Sequence, residues 1–299
     1  MLMQALLCAL GVLALAQDYG PHGPLPYGSH ELVLRDPARN RTVEVLLVAP
    51  AGDRAVPFVL FSPGFLLSGR AYQGTAKLLA SHGIAVALLT YDVNLFNADH
   101  RALALDLRFV LGALPERAAA RGVRLDPERV GLAGHSLGGK LSFLVAADER
   151  AVRAVAGLDP VDGGPPGADD PVRFPRAADR MADIAVPKLL LGAERGGEAR
   201  FGTPCAPREA NYERLFERAT ARAWEVTQLG AGHMDYLDDP NCGFACSLCV
   251  PGTDPARART TAQTYLVLFF RAHLLGEEDE LGVRLAEDEA AGIIRARGK

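Results

Sequence analysis

The sequence predicts an α/β fold, a mostly parallel central sheet with helices on both faces. Strand-like and helix-like patterns alternate along the chain, the order expected when a helix carries each strand back beside the last. Several strand-like runs are apolar without a break, as strands buried on both faces must be. A glycine-flanked serine, Gly134-His-Ser136-Leu-Gly138, stands between one such run and a helical pattern. The 299 residues, 49% apolar and 23% charged, suit one domain with a large core or at most two small ones.

Residues 1–16 contain an apolar run that starts at Ala5 and is too short to span a bilayer. The run ends in Ala14-Leu15-Ala16, a small-x-small pattern before Gln17, and predicts a cleaved signal peptide although no basic residue precedes it. This implies a secreted or periplasmic protein, with residues 17–299 as its single domain. Residues 17–29, rich in Gly, Pro and Tyr, read as an irregular arm. Apolar runs at 43–48, 58–61, 84–89, 130–133, 152–158, 188–191 and 224–229 read as strands. Helical patterns fall at 71–81, 98–121, 137–147, 210–220 and 260–274. Residues 160–182, dense in Pro, Gly and Asp, predict a long loop of the kind that caps a site. The acidic run 277–280 reads as solvated surface. No later stretch has the roughly 18 uninterrupted apolar residues of a transmembrane helix. A net charge of -4 with no Lys/Arg cluster argues against nucleic acid as a partner.

The serine carries the chemistry. A hydroxyl becomes a usable nucleophile when a tight strand-to-helix turn lifts it clear of the sheet, and such a turn admits only small neighbours. The strand run 130–133 before Gly134 and the helical pattern from Leu137 give the context of the nucleophile elbow of the α/β-hydrolase fold. The helix then points its positive end at the site. Ser136 needs a base. Of seven histidines, His22 and His30 fall in or near the arm, His82 and His100 at helix ends, and His273 in the last helix. His135 adjoins the serine and faces away from it. His233, in Gly230-Ala-Gly-His233-Met-Asp235 after the last strand, is left as the base. An oxyanion hole needs two backbone amides. Leu137, next to the nucleophile, and Phe65, in Ser62-Pro-Gly64-Phe65 after the strand 58–61, are placed to supply them. For the triad acid, Asp159 fits best because it ends the strand 152–158 and Pro160 stiffens the chain beyond it. Asp162 and Glu194 stay open as alternatives, while Asp235, two residues from the histidine, is too close in sequence to approach its far nitrogen.

Beyond Cys8 in the signal segment, four cysteines remain: Cys205, Cys242, Cys246 and Cys249. An even number in an exported chain predicts two disulfides, joining the Cys205 loop to the 242–249 loop. Free thiols are a second reading, and a zinc site through Cys246-x-x-Cys249 a third.

Several longer motifs are more distinctive than the elbow: Gly134-His-Ser-Leu-Gly-Gly-Lys140, Leu158-Asp-Pro-Val-Asp-Gly163, Pro204-Cys-Ala-Pro207 and Gly232-His-Met-Asp-Tyr-Leu-Asp-Asp239. With Pro63-Gly64-Phe65 and Ser81-His-Gly83, they resemble the chlorophyllase family between residues 58 and 275. That resemblance implies an α/β-hydrolase with a Ser-Asp-His triad that splits chlorophyll into chlorophyllide and phytol. Leu137 stands where plant members usually carry arginine, so the elbow itself is similar to that of lipases in general. The implied substrate is an apolar ester, and acyl transfer through Ser136, Asp159 and His233 needs no metal or organic cofactor.

Overall fold

A computed structural model of the chain describes residues 22–94, 96–165, 170–220 and 222–299. The expected signal segment 1–16 lies outside these residues, as do the start of the arm and residues 166–169 of the long loop. The strands are β1 (Tyr27–Asp36), β2 (Arg41–Pro50), β3 (Val56–Ser62), β4 (Ala85–Tyr91), β5 (Leu125–His135), β6 (Val152–Leu158), β7 (Lys188–Ala193), β8 (Ala223–Gln228) and β9 (Ile294–Gly298). They form one sheet in the order β1-β2-β4-β3-β5-β6-β7-β8-β9. Strands β4, β3, β5, β6, β7 and β8 run parallel, while β1, β2 and β9 are antiparallel to their neighbours. This is the α/β-hydrolase architecture that the sequence predicts.

The helices are α1 (Gln73–Ser81), α2 (His100–Ala119), α3 (Leu137–Ala146), α4 (Tyr212–Arg218), α5 (Phe244–Ser247), α6 (Pro255–Phe270) and α7 (Leu281–Ala290). Alternate residues of each central strand serve opposite faces of the sheet. On one face, Phe58 and Leu60 of β3 join Leu103 and Leu107 of α2, Leu141 of α3 and Leu215 of α4. On the other, Val59 and Phe61 join Ala76 and Leu79 of α1, Phe269 of α6 and Leu285 of α7. Burial on both faces is why β3, β4 and β7 read as unbroken apolar runs.

Four elements are absent from the sequence reading: β1, β9, α7 and the one-turn helix α5. The arm gives way at Tyr27 to β1, an edge strand in which only Leu32, Leu34 and Asp36 are buried, so it alternates rather than running apolar. The short edge strand β9 likewise has one fully buried residue, Ile294. The acidic run 277–280 leads into α7, whose Leu281 and Leu285 seal the second core. Helix α2 is pinned to the β1–β2 hairpin by the buried carboxylate of Asp106, which accepts from Arg39 at 2.8 Å and from Arg41 at 2.5 Å.

Candidate active site

Sheet register brings the elements of the site together. His135 pairs with Leu158, and Leu158 with Leu191, so the residues just beyond them, Ser136 and Asp159, leave the carboxyl edge at one height. Ser136 has φ 54° and ψ -120°, a conformation that a β-carbon disfavours. The turn closes only because the residues two positions to either side of the serine, Gly134 and Gly138, have no side chain. A β-carbon on Gly134 would lie 2.3 Å from the carbonyl carbon of Gly138. One on Gly138 would lie 2.0 Å from the Ser62 carbonyl oxygen, so the elbow and the loop after β3 are packed backbone to backbone.

His233 lies five residues beyond β8 and is buried. Its Nδ1 is 2.6 Å from Asp159 Oδ2, and its Nε2 is 3.0 Å from Ser136 Oγ. A carboxylate only accepts, so Nδ1 carries the proton and Nε2 is left to accept from the serine hydroxyl. Asp159 is fully buried, sits at φ 40°, and takes a second hydrogen bond on Oδ1 from the Ala193 amide at 3.1 Å. Gly196 makes room for it, since a β-carbon there would stand 2.5 Å from Oδ2. Asp235 holds the histidine loop closed by accepting from the Gly232 amide at 2.8 Å, and burial raises its pKa.

The alternative acids are occupied elsewhere. Asp162 accepts from the amides of Ala177 and Ala178, at 2.6 and 3.0 Å, which fixes the far end of the long loop. Its pKa is raised by burial and drawn back by the Lys140 ammonium. Glu194 accepts from the Gly230 amide and pairs with Arg295 at 3.1 Å. Lys140, buried one turn after the serine, donates to His100 Nδ1 at 3.2 Å and to the Asp162 carbonyl at 3.2 Å. Burial pushes the Lys140 amine down to about 8.

The two expected oxyanion donors belong to different segments, Phe65 to the loop after β3 and Leu137 to the elbow. Leu137 opens α3, where an amide has no partner within the helix. The Phe65 amide makes no hydrogen bond among the described residues, and Leu66 beside it sits at φ 61°. His135 is not a competing base. Its Nδ1 is 2.8 Å from Tyr72 Oη and its Nε2 2.8 Å from the His233 carbonyl oxygen. Tyr72 has no part in the site as read from sequence, where it falls inside the helical pattern 71–81, whereas the structure places it in the turn before α1.

Two disulfides are formed, Cys205–Cys249 and Cys242–Cys246. The first joins the loop after β7 to the loop after β8, the two loops that flank Asp159 and carry His233. Cys246 and Cys249 belong to different disulfides, which replaces the zinc and free-thiol readings.

Comparison with known proteins gives a consistent result. A family model described as chlorophyllase matches residues 29–294. Chlorophyllase-2 of Arabidopsis thaliana is 27% identical over 253 residues, 80% of each chain. Chlorophyllase-1 of Citrus sinensis, a chloroplastic protein, is 32% identical over 65% of this chain and 60% of its own. Among solved structures, a ferulic acid esterase from Streptomyces cinnamoneus superposes with TM-score 0.65 at 26% identity, covering 86% of this chain and 92% of that one.

Proposed function

Because the chain belongs to the chlorophyllase family and is a carboxylic-ester hydrolase, we propose that it cleaves bulky apolar esters, chlorophyll's phytyl ester among them, through Ser136, His233 and Asp159. The observation that carries this reading is the unbroken hydrogen-bonded chain from Ser136 Oγ through His233 to Asp159. In the proposed cycle, His233 Nε2 takes the serine proton as Oγ attacks the ester carbonyl. Asp159 holds the imidazole in the reactive tautomer and offsets its positive charge. The Phe65 and Leu137 amides bind the oxyanion, and His233 returns the proton to the leaving alcohol. Water, activated by His233, then releases the acid.

Support for an apolar substrate comes from the carboxyl edge of the sheet. Phe96, Phe201 and Phe244 are exposed by 95%, 69% and 81%, and they stand in the segments that follow β4, β7 and β8, Phe244 as the first residue of α5. Open α/β sheets bind ligands at this edge. The likeness to a ferulic acid esterase favours a second reading, a carboxylesterase acting on other apolar or aromatic esters. Incubation with chlorophyll a, followed by chromatography, separates the two. Chlorophyllide formed at a rate comparable to short p-nitrophenyl ester cleavage supports the first. No chlorophyllide beside rapid cleavage of a hydroxycinnamate ester supports the second. We also infer export, since two disulfides fit an oxidising compartment. No helix among the described residues is long and apolar enough to cross a membrane.

A further inference from the structure

Three separate segments have to keep one geometry for the proposed chemistry: the Phe65 loop, the elbow and the His233 loop. One buried path of hydrogen bonds joins them. The Gly64 amide donates to Tyr72 Oη at 3.2 Å, Tyr72 Oη meets His135 Nδ1 at 2.8 Å, and His135 Nε2 meets the His233 carbonyl oxygen at 2.8 Å. The directions are forced. A carbonyl only accepts, so Nε2 carries the imidazole proton. Nδ1 of the neutral ring then only accepts, so Tyr72 gives its hydroxyl proton, and its free lone pair takes the Gly64 amide proton. Every donor and acceptor on this path is used.

Each link ends at or beside a group of the proposed mechanism. Gly64 precedes Phe65, His135 precedes Ser136, and the accepting carbonyl is that of His233 itself. The path is dry, since Tyr72 and His135 are both 0% exposed. The His135 ring also packs against the His233 ring, with centroids 4.7 Å apart. Gly64 permits the approach, because a β-carbon there would come within 3.0 Å of His135 Nδ1.

We propose that Tyr72 and His135 are positioning residues for ester hydrolysis, locking the Phe65 amide, the Ser136 hydroxyl and the His233 imidazole in mutual register. The proposal rests on the Ser136-His233-Asp159 reading. It also requires His135 to stay neutral, because protonated Nδ1 would turn the Tyr72 contact around and set a second cation beside His233. Burial, and then the neighbouring His233, hold the His135 pKa well below its ordinary value.

Tyr72→Phe, His135→Leu and His135→Gln test it by steady-state kinetics, thermal unfolding and the downfield proton resonance of the His233 Nδ1–H bonded to Asp159. Tyr72→Phe and His135→Leu are expected to lower kcat about 10–100-fold with KM within about two-fold, the signature of misplaced reacting groups. Both are expected to displace the resonance. His135→Gln, whose amide N–H extends toward the His233 carbonyl, is expected to recover part of the kcat lost in the leucine variant. Wild-type kcat in folded Tyr72→Phe and His135→Leu would overturn the proposal. So would a loss that leaves the resonance unmoved and that glutamine does not relieve, since a merely structural role gives that result. If the His135 variants do not fold, Tyr72→Phe, which removes one atom from a retained ring, decides alone. Ser136→Ala separates the two levels: full turnover there would defeat the triad reading, whereas the resonance in that variant still reports the Tyr72–His135 path.

Discussion

Ser136 and Asp159 both hold left-handed backbone angles, φ 54° and φ 40°, which neither residue type adopts cheaply. Both residues bond to one histidine, an arrangement that accords with the proposed triad. Asp159→Asn should lower kcat by about 10⁴-fold with the fold intact, because an asparagine cannot fix the tautomer that leaves Nε2 free to accept. Asp162→Asn and Glu194→Gln should keep most of the activity, since their carboxylates hold backbone amides and Arg295 instead. Steady-state kinetics on the three variants checks the ranking, and an active Asp159→Asn beside an inactive alternative would reverse it. At this scale the sequence was informative where chain geometry constrains chemistry. The glycines around Ser136, the strand-end position of Asp159 and the glycine-flanked His233 were all readable before any fold was known. Tyr72 was not, because its part depends on where β3, β5 and the His233 loop meet, and local pattern carries no such information.

Among the elements, the central strands were legible because burial on both faces leaves an unbroken apolar run. The edge strands β1 and β9 were not, since their exposed faces break that run. The disulfides brace the loops that surround the site. Cys205–Cys249 closes a separation of 44 residues and Cys242–Cys246 one of 4. On a chain-entropy basis the first should stabilise by about 4 kcal/mol and the second by about 2 kcal/mol. Chemical denaturation of the Cys205→Ala/Cys249→Ala and Cys242→Ala/Cys246→Ala pairs should show that order, and a greater loss from the short loop would contradict it. The start of α2 carries an acid-sensitive joint. Burial, and then the Lys140 ammonium, lower the His100 pKa from 6.5 to about 3. As pH falls through this window the unfolded chain binds a proton at His100 and the folded chain does not, so stability falls with acid. Between about pH 7 and pH 5, His100→Asn should therefore flatten the dependence of the urea midpoint on pH. A variant with the wild-type slope would show that His100 is not the group responsible.

Across the whole molecule, six parallel strands deliver the loops after them to one edge, so residues far apart in sequence share a rim. Ser136, Asp159 and His233 come from the ends of β5, β6 and β8, and the three most exposed phenylalanines from segments that follow strands on the same edge. The α/β class was readable from the alternation of elements, and its hydrolase type from the elbow around Ser136, but the shape of that rim was not, because loop conformation is set by tertiary contacts such as Lys140 with Asp162 and Cys205 with Cys249. Exposed phenylalanines in the segments at this edge predict that kcat/KM rises from an acetate to a long-chain or bulky ester of the same alcohol. The opposite order would mean a small, closed acyl pocket.

Everything proposed for the site depends on Ser136 being the nucleophile of ester hydrolysis. The most direct test of that role is labelling with a fluorophosphonate, which reacts with a serine only when a neighbouring base and oxyanion donors activate it. One adduct per chain is expected, located by peptide mass spectrometry at Ser136, with turnover lost in proportion to labelling and no adduct in Ser136→Ala. An adduct at another serine that accompanies the loss of activity, or a chain labelled at Ser136 that still turns over ester, would contradict it.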